Sequence, residues 1–309
     1  MNFRAVVFCV AVLTYFTPIT GCSTVHEQDT SPQKLSNGDF LAAAELAYKP
    51  YSKNEIGKNI TNLKGMNKPI PTEVTKRLAD YHLAAFSTYN RRFNGVALKN
   101  NKDNSLLFSF SGYQQINLQE IYQRLINFNT QENLQTPIVV DDQAQEAYKW
   151  VKTILNKKEN KDAKVYVTGH SFGGYLAQYI AYNLQNDKKM KENHPVIQGV
   201  TFNSLGLLLD NGSKKQHIKV EMIQKNYKSI FTNYIINGDP LDYANKTFFK
   251  DITGNTLKSL GEVQYITSDE NYKTALSQLE KTSDLWTRAQ RLKPLYPYHN
   301  LIKFESKFW

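Results

Sequence analysis

Cysteine is nearly missing from this chain. Cys9 and Cys22 are the only two in 309 residues, and both lie close to the N-terminus. A disulfide framework, a cysteine-built metal centre and a cysteine nucleophile are therefore excluded from the body of the protein. No metal-ligand spacing of His, Cys, Asp or Glu occurs, and neither a metal nor an organic cofactor is expected. No apolar run reaches the ~18 residues that span a bilayer. Tandem repeats are absent. So is any nucleic-acid-binding motif, and nucleic acid is not an expected partner. The formal charge of +10 then reads as a Lys-rich solvated surface, or as attraction to anionic lipid head groups.

What is present begins with the N-terminus. Arg4 is a positive n-region, and Ala5 to Phe16 is an apolar h-region too short to cross a membrane. It runs into Ile19-Thr20-Gly21-Cys22, which resembles the bacterial lipobox. That resemblance implies cleavage before Cys22, lipidation of Cys22 and attachment to a membrane. Ser23 at the next position implies the outer membrane of the cell envelope. Residues 1–21 are thus expected to be a signal peptide, and the polar residues 22–39 a tether. Residues 40–309 would form the folded domain.

Within that domain, Val165-Tyr166-Val167 suits a buried strand. Ala177, Ile180, Ala181 and Leu184 mark one face of a helix. Between them stands Gly169-His170-Ser171-Phe172-Gly173, a G-x-S-x-G turn. In a strand–turn–helix context this is the nucleophile elbow, with Ser171 raised clear of the sheet. Other elements alternate around it. Helices are expected at Phe40–Tyr48, Leu78–Tyr89 and from about Asp142, with Gln145 as its capping-box partner. Strands are expected at Phe93–Leu98, Leu106–Phe110, Val196–Asn203, Ile230–Ile236 and Gly261–Ile266, and Pro137–Val140 as a short strand or a lead-in. The alternation predicts an α/β fold, a mostly parallel sheet flanked by helices with the elbow after a central strand.

A serine hydroxyl needs a base to take its proton. On this fold the chain order is Ser, then Asp or Glu, then His. His26, His82 and His170 precede Ser171, and His194 and His217 leave little chain for an intervening acid. His299 remains as the base. Asp239 follows the apolar strand ending at Ile236, in a turn made by Gly238 and Pro240, and is the expected acid. Asp242 is the alternative, and either residue could serve only to satisfy turn N–H groups.

These segments resemble the class 3 lipase family of α/β-hydrolases. Thr168 to Ala177 is similar to the family's T-G-H-S-L-G-G-x-L-A, and Phe108 to Tyr113 to its strand ending in F-R-G-[ST]. Thr201-Phe202-Asn203-Ser204 resembles its next strand. Asn237-Gly238-Asp239-Pro240 and His299 stand where the family has its acid and base. The resemblance implies a serine hydrolase of lipid esters, lipase or phospholipase A in type, with backbone N–H groups of Tyr113 and Phe172 forming the oxyanion hole. The family's Arg is Ser111 here and its hydroxyl residue is Tyr113, so a phenol replaces any assisting short hydroxyl. A thioesterase or acyltransferase on the same triad, or a non-catalytic binding module, shares these residues. Residues 267–298 are longer than the family's link to the histidine. Tyr272, Ala275, Leu276, Leu279, Trp286 and Ala289 mark an apolar face there, expected either as a cap over Ser171 or as a helix packed on the core.

Overall fold

A computed structural model describes residues 34–64, 69–88, 93–113, 137–279 and 291–309. Residues Gln33–Trp309 form one unit. Cys22, Trp286 and Ala289 lie outside the described residues.

The fold opens with helix α1 (Asn37–Leu46), capped by Ser36 and Asp39 in a reciprocal capping box. Phe40 to Ala44 and Leu46 are all buried, as befits a helix apolar on every side. Asn37, Gly38 and Asp39, expected in the tether, form the first turn of α1. Then come α2 (Thr72–Arg77), β1 (Tyr81–Ser87), β2 (Gly95–Asn100), β3 (Leu106–Phe110) and α3 (Asp142–Leu155). The middle of the chain gives β4 (Val165–His170), α4 (Phe172–Asn186), α5 (Lys188–Asn193), β5 (Val196–Phe202), β6 (Leu208–Asp210), α6 (Lys214–Tyr227) and β7 (Phe231–Ile236). It closes with α7 (Pro240–Tyr243), α8 (Phe249–Thr253), β8 (Thr256–Lys258), β9 (Glu262–Ile266), α9 (Asn271–Leu279), α10 (Tyr296–His299) and α11 (Glu305–Phe308).

Among the described residues, seven strands form the main sheet in the order β1-β2-β3-β4-β5-β7-β9, with β6 and β8 paired separately. The β1–β2 and β2–β3 pairs are antiparallel, and β3 through β9 run parallel. The mostly parallel α/β architecture expected from the alternation is what forms. The elbow strand β4 is the central one of the seven. Side chains alternate across it: Val165 and Val167 enter a core with α3, α4 and α6, while Tyr166 enters one with α1 and the C-terminal helices. A strand covered on both faces reads as a continuous apolar run, which is why β4 was so legible.

Two local expectations differ from the structure, and two that were open between alternatives are decided by it. Of the segment expected as a helix at Leu78–Tyr89, Leu78–Asp80 is the turn that ends α2 and Tyr81–Ser87 is strand β1. Its register shifts between Leu83 and Ala85, so the bulge removes the period-two signal that would have marked a strand. The cap of α3 is Asp141, whose carboxylate accepts from the Ala144 N–H at 2.7 Å. No capping box with Gln145 forms. Pro137–Val140 contributes one isolated bridge, Ile138 to Leu208. In α9, Leu279 is buried in the core, and Tyr272, Ala275 and Leu276 pack against it. The described part of the expected cap therefore behaves as a core-packed helix. No helix among the described residues is long and apolar enough to cross a membrane.

Phe40 is fully buried and packs against the Tyr166 ring of β4 at 6.3 Å between centroids. Phe40→Ala is expected to lower unfolding stability by about 3–5 kcal/mol, read from urea denaturation. A loss below about 1 kcal/mol would mean that α1 is only loosely attached to the sheet.

Candidate active site

The elbow is built from backbone collisions that only glycine avoids. A Cβ at Gly169 would lie 2.2 Å from the Gly173 carbonyl oxygen, and one at Gly173 would lie 2.1 Å from that of Phe110. The chain therefore passes directly from β4 into α4 with almost no turn. Ser171, at the N-cap of α4, takes φ 59° and ψ −128°, a strained conformation that costs on the order of 1–3 kcal/mol. Hydrogen bonds hold it there. Its N–H donates to the Phe202 carbonyl at 3.0 Å, and its own carbonyl accepts from Gly174 and Leu205 at 3.0 and 3.3 Å. The end of β3 also crosses over it, since a Cβ on Gly112 would sit 2.5 Å from the Ser171 Cβ and 3.0 Å from its Oγ.

Asp239 and His299, 60 residues apart, meet directly: His299 Nδ1 lies 2.6 Å from Asp239 Oδ2. The other carboxylate oxygen of Asp239 accepts from the Leu241 and Asp242 N–H groups at 2.9 and 3.0 Å. The aspartate is thus both a helix cap and a partner of the imidazole, with one oxygen for each task. Burial pushes the Asp239 carboxyl up from its ordinary value, while the His299 ring and the Asp242 N–H pull it back down. Asp242, the alternative acid, is turned away toward Lys246 and the Tyr265 hydroxyl. The imidazole of His299 is buried, and its Nε2 has no hydrogen-bond partner among the described residues. Asn203 fixes the approach of this segment. Its Nδ2 donates to the Tyr298 carbonyl at 2.9 Å, and its Oδ1 accepts from the Ile236 N–H at 2.9 Å.

Phe172 begins α4, and Tyr113 follows Gly112 at the end of β3. Their rings stack at 5.3 Å and 29°. The Tyr113 hydroxyl donates to Gln143 Oε1 at 3.4 Å, so the phenol is directed toward α3 and not toward the serine.

Two further residues join this group. His170 precedes the serine in the chain and so falls outside the order expected of the base, and Tyr48 has no local motif around it. The Tyr48 hydroxyl lies 2.6 Å from His170 Nδ1, and His170 Nε2 lies 2.7 Å from the His299 carbonyl oxygen. Burial first, and then the neighbouring His299, lower the His170 pKa to about 3. A cavity of about 460 Å³ opens beside this group, lined by Tyr48, Tyr113, His170 and His299, with Glu45 and Glu305 on its wall. Burial, followed by the Glu305 carboxyl, raises the Glu45 pKa from 4.5 to about 7. Among the described residues, no group of three or more His, Cys, Asp and Glu side chains could hold a metal ion.

Comparison with known proteins places likenesses on the same part of the chain. The family model described as lipid-droplet associated hydrolase matches residues 95–232, somewhat less than half of the sequence. That stretch holds Ser171 and stops short of Asp239 and His299. No curated protein matches the chain. Among solved structures, a lipase from Rhizopus microsporus var. chinensis is 17% identical, covering 75% of this chain and 73% of its own, with a TM-score of 0.49. The M37 lipase is 13% identical over 88% of this chain and 85% of its own, also with a TM-score of 0.49. Rhizomucor miehei lipase with its propeptide is 15% identical over 76% and 68%, with a TM-score of 0.46.

The raised pKa of Glu45 fixes the sign of one pH effect. The folded chain holds a proton there that the unfolded chain releases. The resulting stability is present below pH 4.5 and is lost as the pH rises through about 7. Glu45→Gln, neutral throughout, is expected to remove this slope. At pH 8 it should melt about 2–4 °C above the wild type, equivalent to roughly 1 kcal/mol in a chain of this size. The two proteins should converge near pH 4.5 in thermal scans. A Glu45→Gln protein less stable than wild type at pH 8 would contradict the assignment.

Proposed function

We propose that this chain is a serine hydrolase of carboxylic esters in lipids, of lipase or phospholipase A type. The observation that carries the reading is the buried 2.6 Å contact between Asp239 and His299, on a segment hydrogen-bonded to the residue just before the strained Ser171. Asp239 accepts a hydrogen bond from the Nδ1–H of His299, which leaves the Nε2 lone pair to act as the base. The match to the lipid-droplet associated hydrolase model supports lipid esters as the substrate class.

In this mechanism Ser171 Oγ attacks the ester carbonyl as His299 Nε2 takes its proton. Oxyanion charge is met by the backbone N–H groups of Phe172 and Tyr113. Such donors contribute ~3 kcal/mol each to transition-state stabilisation. His299 then protonates the departing alcohol, and water repeats the sequence on the acyl-enzyme. The imidazolium is stabilised by Asp239 throughout.

The protein is further proposed to be a bacterial lipoprotein held at the outer membrane through acyl chains on Cys22. The lipobox-like Ile19-Thr20-Gly21-Cys22 supports this. Each buried CH₂ of an acyl chain adds ~0.8 kcal/mol of membrane affinity, so several chains hold a protein firmly.

With short p-nitrophenyl esters, Ser171→Ala or His299→Ala is expected to lower kcat by about 10⁶-fold, and Asp239→Asn by about 10⁴-fold. Near-wild-type turnover by folded His299→Ala would remove the base from the mechanism. For the anchor, wild type should incorporate radiolabelled palmitate and sediment with membranes, and Cys22→Ser should do neither after its leader is cleaved. Equal membrane retention of the processed Cys22→Ser protein would refute lipid anchoring.

A further inference from the structure

We propose that Tyr48 and His170 are positioning residues, joined in one directed chain of hydrogen bonds from the Gly112 amide to the main-chain carbonyl of His299. This rests on the triad reading, and adds to it the parts that hold the base and the oxyanion side in register.

The direction of the chain follows from what each atom can do. The His299 carbonyl only accepts, so His170 Nε2, 2.7 Å away, carries the hydrogen. His170 is kept neutral by its buried position, so its Nδ1 has only a lone pair to offer. The Tyr48 hydroxyl, 2.6 Å from Nδ1, is therefore the donor there. Its oxygen in turn accepts from the Gly112 N–H at 2.9 Å. Each link fixes the polarity of the next, and the tautomer of His170 follows from its surroundings.

The two ends of this chain are the parts that must be aligned with Ser171. Gly112 immediately precedes Tyr113, one proposed oxyanion donor, and presses against the Ser171 side chain. The carbonyl at the other end belongs to the base itself. His170 lies covalently between them, next to the nucleophile, with its ring 4.8 Å from the His299 ring. A charged ring at that distance would oppose the imidazolium that catalysis requires on His299. Neutral His170 ties down the neighbouring backbone without competing for the proton. A displacement of about 1 Å at such a site costs on the order of 10²-fold in rate.

The test compares Tyr48→Phe, His170→Leu, His170→Gln and the Tyr48→Phe/His170→Leu pair on a short soluble ester. Ser171→Ala and Tyr51→Phe serve as controls. Tyr51 is buried at the same end of α1 and donates to the Leu46 carbonyl, outside the site. Tyr48→Phe and His170→Leu should each lower kcat about 10–100-fold with KM within about twofold. The rate of fluorophosphonate labelling of Ser171 should fall by the same factor. His170→Gln, which retains a donor for the His299 carbonyl, should recover part of the loss. The double variant should be no slower than the worse single one, because the two residues act through one chain. Tyr51→Phe should lose stability but keep its kcat. Independently of turnover, nitrogen-15 NMR should show His170 neutral and protonated at Nε2 across the acidic range in which an ordinary histidine gains its charge. Full activity in Tyr48→Phe, multiplying losses in the double variant, or a His170 that titrates normally would each overturn the proposal. Activity surviving in Ser171→Ala would instead fell the triad reading and this proposal with it.

Discussion

The elbow end of the molecule depends on how closely the start of α4 approaches the end of β3. Backbone meets backbone there, with the Phe110 carbonyl oxygen 2.1 Å from where a Cβ on Gly173 would stand. No side chain separates the helix from the sheet, so the connection between β4 and α4 shrinks to Ser171 alone. That residue is forced to positive φ, and the strain is borne by hydrogen bonds to β5 and to the residues that follow it. Once this contact is made, the positions of the nucleophile, of the first N–H of α4 and of the strand that lies over them are no longer independent.

Asp239 and His299 come from elements packed in different cores: Leu241, just after Asp239, lies in the core with α4, and Tyr298 and Leu301, beside His299, lie in the one with α1. The core containing α1 and the segment around His299 is built separately from the one beneath α4. Asn203, just past the end of β5, binds the last N–H of β7 and the carbonyl of Tyr298 with the two ends of one amide. Asp239 similarly divides its two oxygens between a helix N-terminus and the imidazole. Each polar group thus joins two elements, which is how a site assembled from several loops can be rigid.

The parts of this arrangement that were legible in the sequence share a property: their signal is local. Gly169, Ser171 and Gly173 sit within five residues, between a strand and a helix whose periodicities are strong. Asp239 follows an apolar strand and precedes proline. His299 was reachable by chain order, which is a constraint of the fold and not of its neighbours. β1 was misread because its bulge broke the alternation, and its strand character comes from pairing with β2, not from its own residues. Tyr48 was invisible because a tyrosine at the end of a helix is unremarkable until the helix is placed against the elbow. His170 was visible, and its role was not, since that role is defined by groups 122 and 129 residues away.

That distance has a consequence for the order of events in folding. The contacts that complete the site join residues separated by 60, 64, 122 and 129 positions. Contacts of such span form slowly relative to local helices and hairpins. During synthesis from the N-terminus, the elbow with its serine emerges while His299 is still more than a hundred residues from being made. Until the final segment docks across the sheet, Ser171 stands without the Asp239–His299 pair that the proposed reaction requires. Competence for that proposed reaction would thus be the last property the polypeptide acquires.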